Sequence, residues 1–147
     1  MKNDYKKIAS KVIELEIKAL KKLKKYINYS FNKAVEIIAN CQSKIVIAGV
    51  GKSGLIASKI AATLSSVGTP SFSLSAGDSS HGDLGSISKK DLLILISNSG
   101  NSLELLPIIK FANRNKIKLI GIVSRKDSSL YRGADIRILL PKVKEAG

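Results

Sequence analysis

The spacing of apolar residues divides the chain into a helical start and a longer part with short apolar runs. Between residues 4 and 26, apolar side chains recur three and four positions apart, which predicts an amphipathic helix. Residues 28–30 interrupt this pattern, and Ser30 or Asn32 can cap a second helix that runs to about residue 40. Because such helices cannot bury their apolar stripes alone, residues 1–40 are predicted to be a helical leader that packs on the domain or on a partner subunit.

Short apolar runs rich in β-branched residues begin after residue 43 and alternate with helical patterns. The predicted strands are 44–48, 69–74, 91–96, 118–123 and 135–140. The predicted helices are 55–67, 103–115 and 128–132. This alternation predicts the α/β class: a Rossmann-like three-layer αβα sandwich around a mostly parallel five-stranded sheet. Ligands of such sheets bind at the carboxyl ends of the strands, so the loops after 44–48 and 91–96 are candidate sites.

Composition narrows the class of protein further. Of the 147 residues, 44% are hydrophobic, which suits a folded domain rather than a disordered chain. No apolar run approaches the roughly 20 residues that a transmembrane helix needs, and the start of the chain has no export signal. We therefore expect a cytoplasmic protein without a membrane partner. The single cysteine, Cys41, excludes an internal disulfide and argues against a cysteine-based metal site.

The chain is strongly basic, because 25 Lys and Arg against 11 Asp and Glu give a net charge of +14. Such a charge can attract nucleic acid, an anionic membrane or an acidic small molecule, or it can be spread over solvated helix faces. The lysines follow helical spacing, and no aromatic residues interleave with them as base stacking requires. We therefore expect no nucleic acid partner, although salt-sensitive retention of DNA would support one.

A glycine-rich turn follows the first predicted strand of the sheet. Gly49, Gly51 and Gly54 fit the spacing of a dinucleotide-binding loop, but residues 69–74, where its acidic ribose partner usually falls, contain no carboxylate. The earlier glycine that a Walker loop needs is missing. The segment is therefore either a tight turn that only glycine permits or a phosphate-binding loop in which Lys52 faces an anionic ligand.

A turn crowded with hydroxyl and amide side chains follows the third predicted strand. Four of these side chains can donate hydrogen bonds to a phosphate: Ser97, Asn98, Ser99 and Ser102. The helix predicted behind them adds free backbone N–H groups and a favourable dipole. Capping of that helix by Ser99 or Asn101 would need fewer such residues, so ligand binding is favoured. Glu104 is either a proton carrier beside a bound phosphate ester or an ordinary first-turn acid.

The histidine of this sequence, His81, lies in a polar loop between Asp78 and Asp83. Carboxylates near an imidazole fix its tautomer and suit it to proton transfer or to metal binding. A single histidine does not form a zinc site, so the alternative is a structural or solvated loop residue.

Three segments together resemble the SIS (sugar isomerase) domain, and more closely the arabinose-5-phosphate isomerase family. They are residues 49–54, 80–85 and 97–104, and the helical leader matches as well. The resemblance implies an SIS domain over residues 41–147. Family members continue further, usually into a pair of CBS modules, so this chain is expected to be truncated at its C-terminal end and to lack the CBS pair.

The resemblance also implies roles for individual residues. The implied catalytic residues are Lys52, Glu104 and Glu145. The implied substrate-binding residues are Gly51, Ser53, His81, Ser97, Asn98, Ser99 and Ser102. His81 corresponds to a loop histidine that can bind an inhibitory zinc ion, the only metal expected. Residues 75–79 depart from the family's pattern, which leaves the exact sugar open.

The function that the resemblance implies is aldose–ketose isomerisation of a sugar phosphate, interconverting ribulose 5-phosphate and arabinose 5-phosphate for synthesis of the lipopolysaccharide sugar Kdo. No cofactor is expected, because a carboxylate can move a proton between C1 and C2 while a cation stabilises the enediolate oxygen. The family further implies a homo-oligomer, a dimer or a tetramer, with a small-molecule sugar phosphate as its ligand. The alternative is a non-catalytic phosphosugar-binding SIS module of a regulator.

Overall fold

Helices and strands alternate along the chain in this computed structural model, which describes residues 4–77 and 82–144. The helices are α1 (Tyr5–Lys24), α2 (Tyr29–Ala39), α3 (Lys52–Ser66), α4 (Leu105–Asn115) and the short α5 (Ser129–Gly133). The strands are β1 (Ile45–Gly49), β2 (Ser71–Ser75), β3 (Leu92–Ser97), β4 (Lys118–Val123) and β5 (Ile136–Leu139). A single 3₁₀ turn, Asp83–Ser86, lies between β2 and β3 in the described residues.

The strands form one parallel sheet in the order β2-β1-β3-β4-β5. Strand order reverses direction at β1, since β2 is added on one side of it and β3, β4 and β5 on the other. All five residues of β1 are buried, which explains why its sequence is a continuous apolar run rather than an alternating one. The predicted α/β class with a five-stranded parallel sheet is confirmed.

Helices cover both faces of the sheet and give the predicted three layers. On one face, Ala57 and Ala61 of α3 and Ala34 of α2 pack against Ile45 and Ile47 of β1. On the other face, α4 and α5 pack against the opposite side chains of the same strands. The buried residues there include Leu105, Ile108, Leu130, Val46 and Leu93.

The two N-terminal helices differ in how they pack. Helix α2 joins the core through Ala34, which is 1% exposed. Helix α1, all of which is described, fully buries none of its residues. It lies beside the segment that follows β5, where the Lys22 ammonium donates a hydrogen bond of 2.7 Å to the Lys142 carbonyl. Within the described residues, no helix is long and apolar enough to cross a membrane.

Helix starts are where the sequence predictions were wrong. Helix α2 is capped by Asn28, whose Oδ1 accepts from the Ser30 amide at 2.9 Å, so neither Ser30 nor Asn32 is the cap. Helix α3 begins at Lys52, three residues earlier than predicted, because the turn before it closes at Gly51. Helix α4 begins at Leu105 rather than at residue 103.

A buried carboxylate, Asp91, fixes the amino-terminal edge of β3 against the start of β1. It accepts hydrogen bonds from the Ser43 hydroxyl at 2.5 Å and the Ser88 amide at 2.6 Å, and it forms an ion pair with Lys44 at 2.9 Å. Burial by itself would raise the pKa of this carboxyl, but the hydrogen bonds from Ser43, Ser88 and Lys44 lower it to about 2. The ionised form therefore stabilises the folded protein.

We expect Asp91→Asn to lower the free energy of unfolding by about 2 kcal/mol at pH 7, because the pKa is depressed from 3.8 to about 2 in the folded state. This contribution is fully present above pH 4 and is lost as the pH falls toward 2. The difference between wild type and variant in urea unfolding should shrink over that window. Glu36→Gln, at an exposed position of α2, is the control. An equal difference at pH 7 and pH 2.5 would contradict this account.

Candidate functional site

Two loops leave the sheet side by side at the point where its strand order reverses. We call residues 49–54 the glycine turn and residues 97–104 the serine loop. Because β1 and β3 are hydrogen-bonded neighbours, with Gly49 in register with Ile96, both loops begin at the same carboxyl edge. In open α/β sheets this crevice is where ligands bind. The pairing thus brings together the two segments that the sequence singled out.

The glycine turn is built by close packing of α3 onto β1. A Cβ on Gly49 would lie 2.7 Å from the backbone of Ser53, so only glycine allows this approach. Gly51 precedes α3 with φ at 57°. Lys52 is therefore the first residue of the helix, exposed at the carboxyl edge of the sheet, and Ser53 is half-buried behind it. The tight-turn interpretation explains the glycines, while the exposed Lys52 ammonium is available to an anion.

Hydrogen bonds within the serine loop hold its side chains in fixed positions. Ser97 is 4% exposed, and its Oγ accepts from the Gly100 amide at 3.0 Å. The hydroxyls of Ser97 and Ser102 lie 3.2 Å apart, and Ser99 Oγ accepts from the Asn101 amide at 3.3 Å. The loop is thus preorganised by its own hydrogen bonds.

The Ser97–Ser102 pair leaves one hydroxyl proton for a ligand. A single hydrogen joins the two oxygens, although each serine carries one O–H donor. Either hydroxyl can be the donor of this bond, and Ser97 Oγ also accepts from the buried Gly100 amide. When Ser97 is the donor, the half-exposed Ser102 can donate outward, as a phosphate oxygen requires.

The first backbone N–H groups of α4 were predicted to be free for a ligand, but the structure gives them partners. The Leu105 and Leu106 amides donate to the carbonyls of Ser102 and Leu103, and residue 107 is a proline without a donor. Glu104 occupies the N-cap position but makes no capping hydrogen bond to the described part of the chain. Its exposed side chain stands at the edge of the serine loop. Neither alternative cap, Ser99 nor Asn101, caps the helix.

The loop between β4 and α5 anchors the serine loop from the other side. Ser124 donates to Asn98 twice, from its amide to the carbonyl at 3.1 Å and from its hydroxyl to Oδ1 at 2.6 Å. Asn101 Oδ1 accepts from the Ser129 amide at 2.8 Å. The side-chain oxygens of both asparagines therefore accept hydrogen bonds that hold the serine loop in place. The Asn98 NH₂ group is a donor, which is what a phosphate oxygen needs.

A cavity of about 660 Å³ opens beside the serine loop. It is lined by Asn98, Ser99, Ser124, Arg125, Lys142 and Val143. Of the predicted site residues that the structure describes, Asn98 and Ser99 line this cavity. The others lie outside its lining: Gly51, Lys52, Ser53, Ser97, Ser102 and Glu104. Ser124, Arg125 and Lys142 were not predicted as site residues from the sequence. The strand-end rule could have identified the first two, because they directly follow β4, the neighbour of β3 in the sheet.

Two predicted site residues, His81 and Glu145, lie outside the described residues. Their roles, including the zinc-binding role of His81, stay predictions. The roles of the other predicted site residues stay predictions too, although the fold brings their two loops to one edge. Within the described ranges, no three His, Cys, Asp or Glu side chains are grouped as a metal site would group them.

The fold and the two loops define a class of protein. A doubly wound parallel sheet with an anion-suited loop at its switch point is an α/β domain that binds small ligands at the carboxyl edge of the sheet. The SIS domain family matches residues 37–147, which is most of the chain. The chain therefore belongs to the SIS domain family, as its three motifs predicted.

Similar proteins include enzymes and at least one solved complex. Arabinose 5-phosphate isomerase KdsD of Yersinia pestis is 43% identical over 143 residues, covering 97% of this chain and 44% of that enzyme. The chain thus spans less than half the length of this curated relative. A structure from Escherichia coli CFT073, solved in complex with a sugar phosphate, superposes with a TM-score of 0.93 at 36% identity, covering 100% of this chain and 79% of that one.

A more distant structure shares only the fold. The Vibrio vulnificus NanR protein, complexed with ManNAc-6P, has a TM-score of 0.84 at 18% identity. The match covers 97% of this chain and 54% of that one. The same architecture therefore occurs in a protein of very different sequence.

We expect Gly100→Ala to destabilise the protein by about 3 kcal/mol, because Gly100 has φ at 69° and an added Cβ would collide with Ser128 Oγ and lie 2.5 Å from Val123 Cγ2. Both neighbours are buried, so neither can move aside cheaply. Gly85→Ala is the matched control, since nothing lies within 4 Å of a Cβ there. Urea unfolding of both variants measures the cost, and equal stability of the two would show that the serine loop is not fixed by this packing.

Proposed function

We propose that this chain is the sugar-phosphate-binding domain of an aldose–ketose isomerase that interconverts ribulose 5-phosphate and arabinose 5-phosphate for Kdo synthesis. The observation that carries the proposal is the juxtaposition of the glycine turn and the serine loop at one edge of the sheet. This edge offers hydroxyl donors for a phosphate, an ammonium group and a carboxylate. The identity to Yersinia pestis KdsD over 97% of the chain supports the substrate.

In this proposal, the phosphate group of the substrate anchors the sugar in the site. Ser102, with Ser97 behind it, donates to the phosphate, and Ser99 and the Asn98 NH₂ group add donors from the same loop. Gly51 and Ser53 border the sugar from the glycine turn. Binding energy from the phosphate fixes the reacting carbons, which are remote from it.

The chemistry requires a base and a cation at the carbonyl end of the sugar. A carboxylate removes a proton from the carbon beside the carbonyl and the cis-enediol forms. The carboxyl group, whose proton can exchange with solvent, then protonates the neighbouring carbon. Glu104 or Glu145 is the base in this scheme. Lys52 stabilises the negative charge that develops on the carbonyl oxygen. The net reaction moves hydrogen within the sugar, so it consumes no oxidant or reductant.

The second candidate is a phosphosugar-binding module without catalysis. NanR, which was solved with ManNAc-6P, has this fold, although at 18% identity the likeness supports the fold alone. Both candidates predict binding of a sugar phosphate. Only the isomerase predicts exchange of the C2 proton with solvent.

Arabinose 5-phosphate should raise the melting temperature of the chain, whereas arabinose without the phosphate should not, because the serine loop recognises the phosphate. Ser102→Ala removes a hydrogen bond to a charged group, worth about 1.5–3 kcal/mol, and should weaken binding about tenfold to a hundredfold. Ser66→Ala, at the exposed C-terminal end of α3, is the control. An equal shift with arabinose and arabinose 5-phosphate would rule out phosphate recognition.

Glu104→Gln should leave arabinose 5-phosphate binding within about threefold but lower isomerisation by about 10²–10⁴, the usual contribution of a general base. The measurement is ribulose 5-phosphate formation together with uptake of solvent deuterium at C2 of the recovered arabinose 5-phosphate. Glu36→Gln on α2 removes an exposed carboxylate remote from the serine loop and serves as the control. Wild-type turnover in the Glu104 variant would transfer the base role to Glu145. Binding without exchange in the wild type would favour the non-catalytic module.

A further inference from the structure

Four cations converge on a second cavity, beyond the serine loop. This cavity, of about 540 Å³, is formed by the C-terminal half of α1, the loop after β4 and the segment at the end of β5. We call it the basic cleft. Its cationic residues are Lys22, Arg125, Lys126 and Lys142.

Segments distant in sequence bring these charges together. Lys22 comes from α1, and its ammonium donates to the Lys142 carbonyl across 120 positions of the chain. An ammonium group has three donors, so this bond leaves others to face the cavity. The cleft is thus assembled by tertiary packing, in contrast to a lysine row along one helix face, which sequence periodicity alone produces.

The charges in the basic cleft are unbalanced. Among the described residues that line it, Asp127 is the only carboxylate. It is held by Arg125 through two hydrogen bonds of 3.2 and 2.8 Å, which lower the pKa of Asp127 and raise the pKa of Arg125. Four cations against one anion leave a net charge of +3 around one cavity. An anion of similar charge would relieve the repulsion between the cations.

We propose that the basic cleft binds an oligophosphate, a ligand with two or more linked phosphate groups. A single phosphate ester carries at most two charges, whereas linked phosphates match the net charge of the cleft and span its separate cations. The site is distinct from the proposed phosphosugar site, because Lys22 and Lys126 line the basic cleft but not the cavity of the serine loop. The two cavities adjoin, since Ser124, Arg125 and Lys142 line both.

The test is isothermal titration calorimetry of the 147-residue chain with inorganic tripolyphosphate at 0.15 M ionic strength. At this ionic strength, interactions between surface charges more than about 8 Å apart are largely screened. The wild type should bind one equivalent. Lys126→Ala should weaken binding five- to tenfold, because it removes a cation that makes no hydrogen bond within the described fold. Asp127→Asn should tighten binding several-fold, because it removes the opposing charge and releases Arg125.

Two controls separate the cleft from the general basicity of the chain. Lys110→Ala on α4 and Glu36→Gln on α2 change the net charge by the same amounts at exposed positions elsewhere and should alter the affinity less than twofold. Equal weakening by Lys110→Ala and Lys126→Ala, or heats that never saturate, would overturn the proposal.

Titration with arabinose 5-phosphate distinguishes this site from the phosphosugar site. Lys126→Ala should leave arabinose 5-phosphate affinity within twofold, while Ser102→Ala should leave tripolyphosphate affinity within twofold. Parallel losses of both ligands in both variants would overturn the existence of a separate oligophosphate site. Failure of arabinose 5-phosphate alone to bind would count against the proposed function and leave the oligophosphate result standing.

Discussion

The parallel pairing of β1 with β3 is the interaction on which the rest of the molecule depends. Both strands are buried in the middle of the sheet, where Val46 pairs with Leu93 and Ile47 with Ile94. A strand buried on both faces cannot slip by one residue without moving its side chains to the wrong layer. This register places the glycine turn beside the serine loop. Hydrophobic burial at the centre therefore determines which polar groups meet at the edge.

Polar groups at the two edges of the sheet have different structural roles. At the amino edge, Asp91 receives donors from three residues and stabilises the fold. At the carboxyl edge, Ser124 of the loop after β4 and Ser129 at the start of α5 fix the backbone and the asparagines of the serine loop. The serine hydroxyls are thereby held in place by neighbours, so that ligand binding need not order the loop. Preorganised donors of this kind lower the entropic cost of binding.

Whether a feature of this structure can be predicted from the sequence depends on how far apart in the chain the interacting residues lie. The central strands were predictable because continuous apolar runs such as Ile45–Gly49 report burial directly. Helix starts were not, because they depend on backbone geometry: α3 begins after Gly51 with φ at 57°, without a capping side chain. The serine loop was visible as a cluster in sequence, but its anchoring by Ser124 was not. Arg125 and Lys142 reach one cavity only through the order of β3, β4 and β5.

The basic charge of the chain takes on a different meaning once it is placed on the fold. Lysines along α1 follow helical spacing, which by itself indicates a solvated face. Yet α1 lies beside the carboxyl edge, where Ala19, Leu20 and Leu23 share an apolar cavity with Asn98 and Ser124. Helix α1 therefore borders the carboxyl edge of the sheet beside the serine loop, and Lys22 adds a positive charge there. In the proposed oligophosphate site, an anion approaching this edge would meet cations from α1, from the loop after β4 and from the segment after β5.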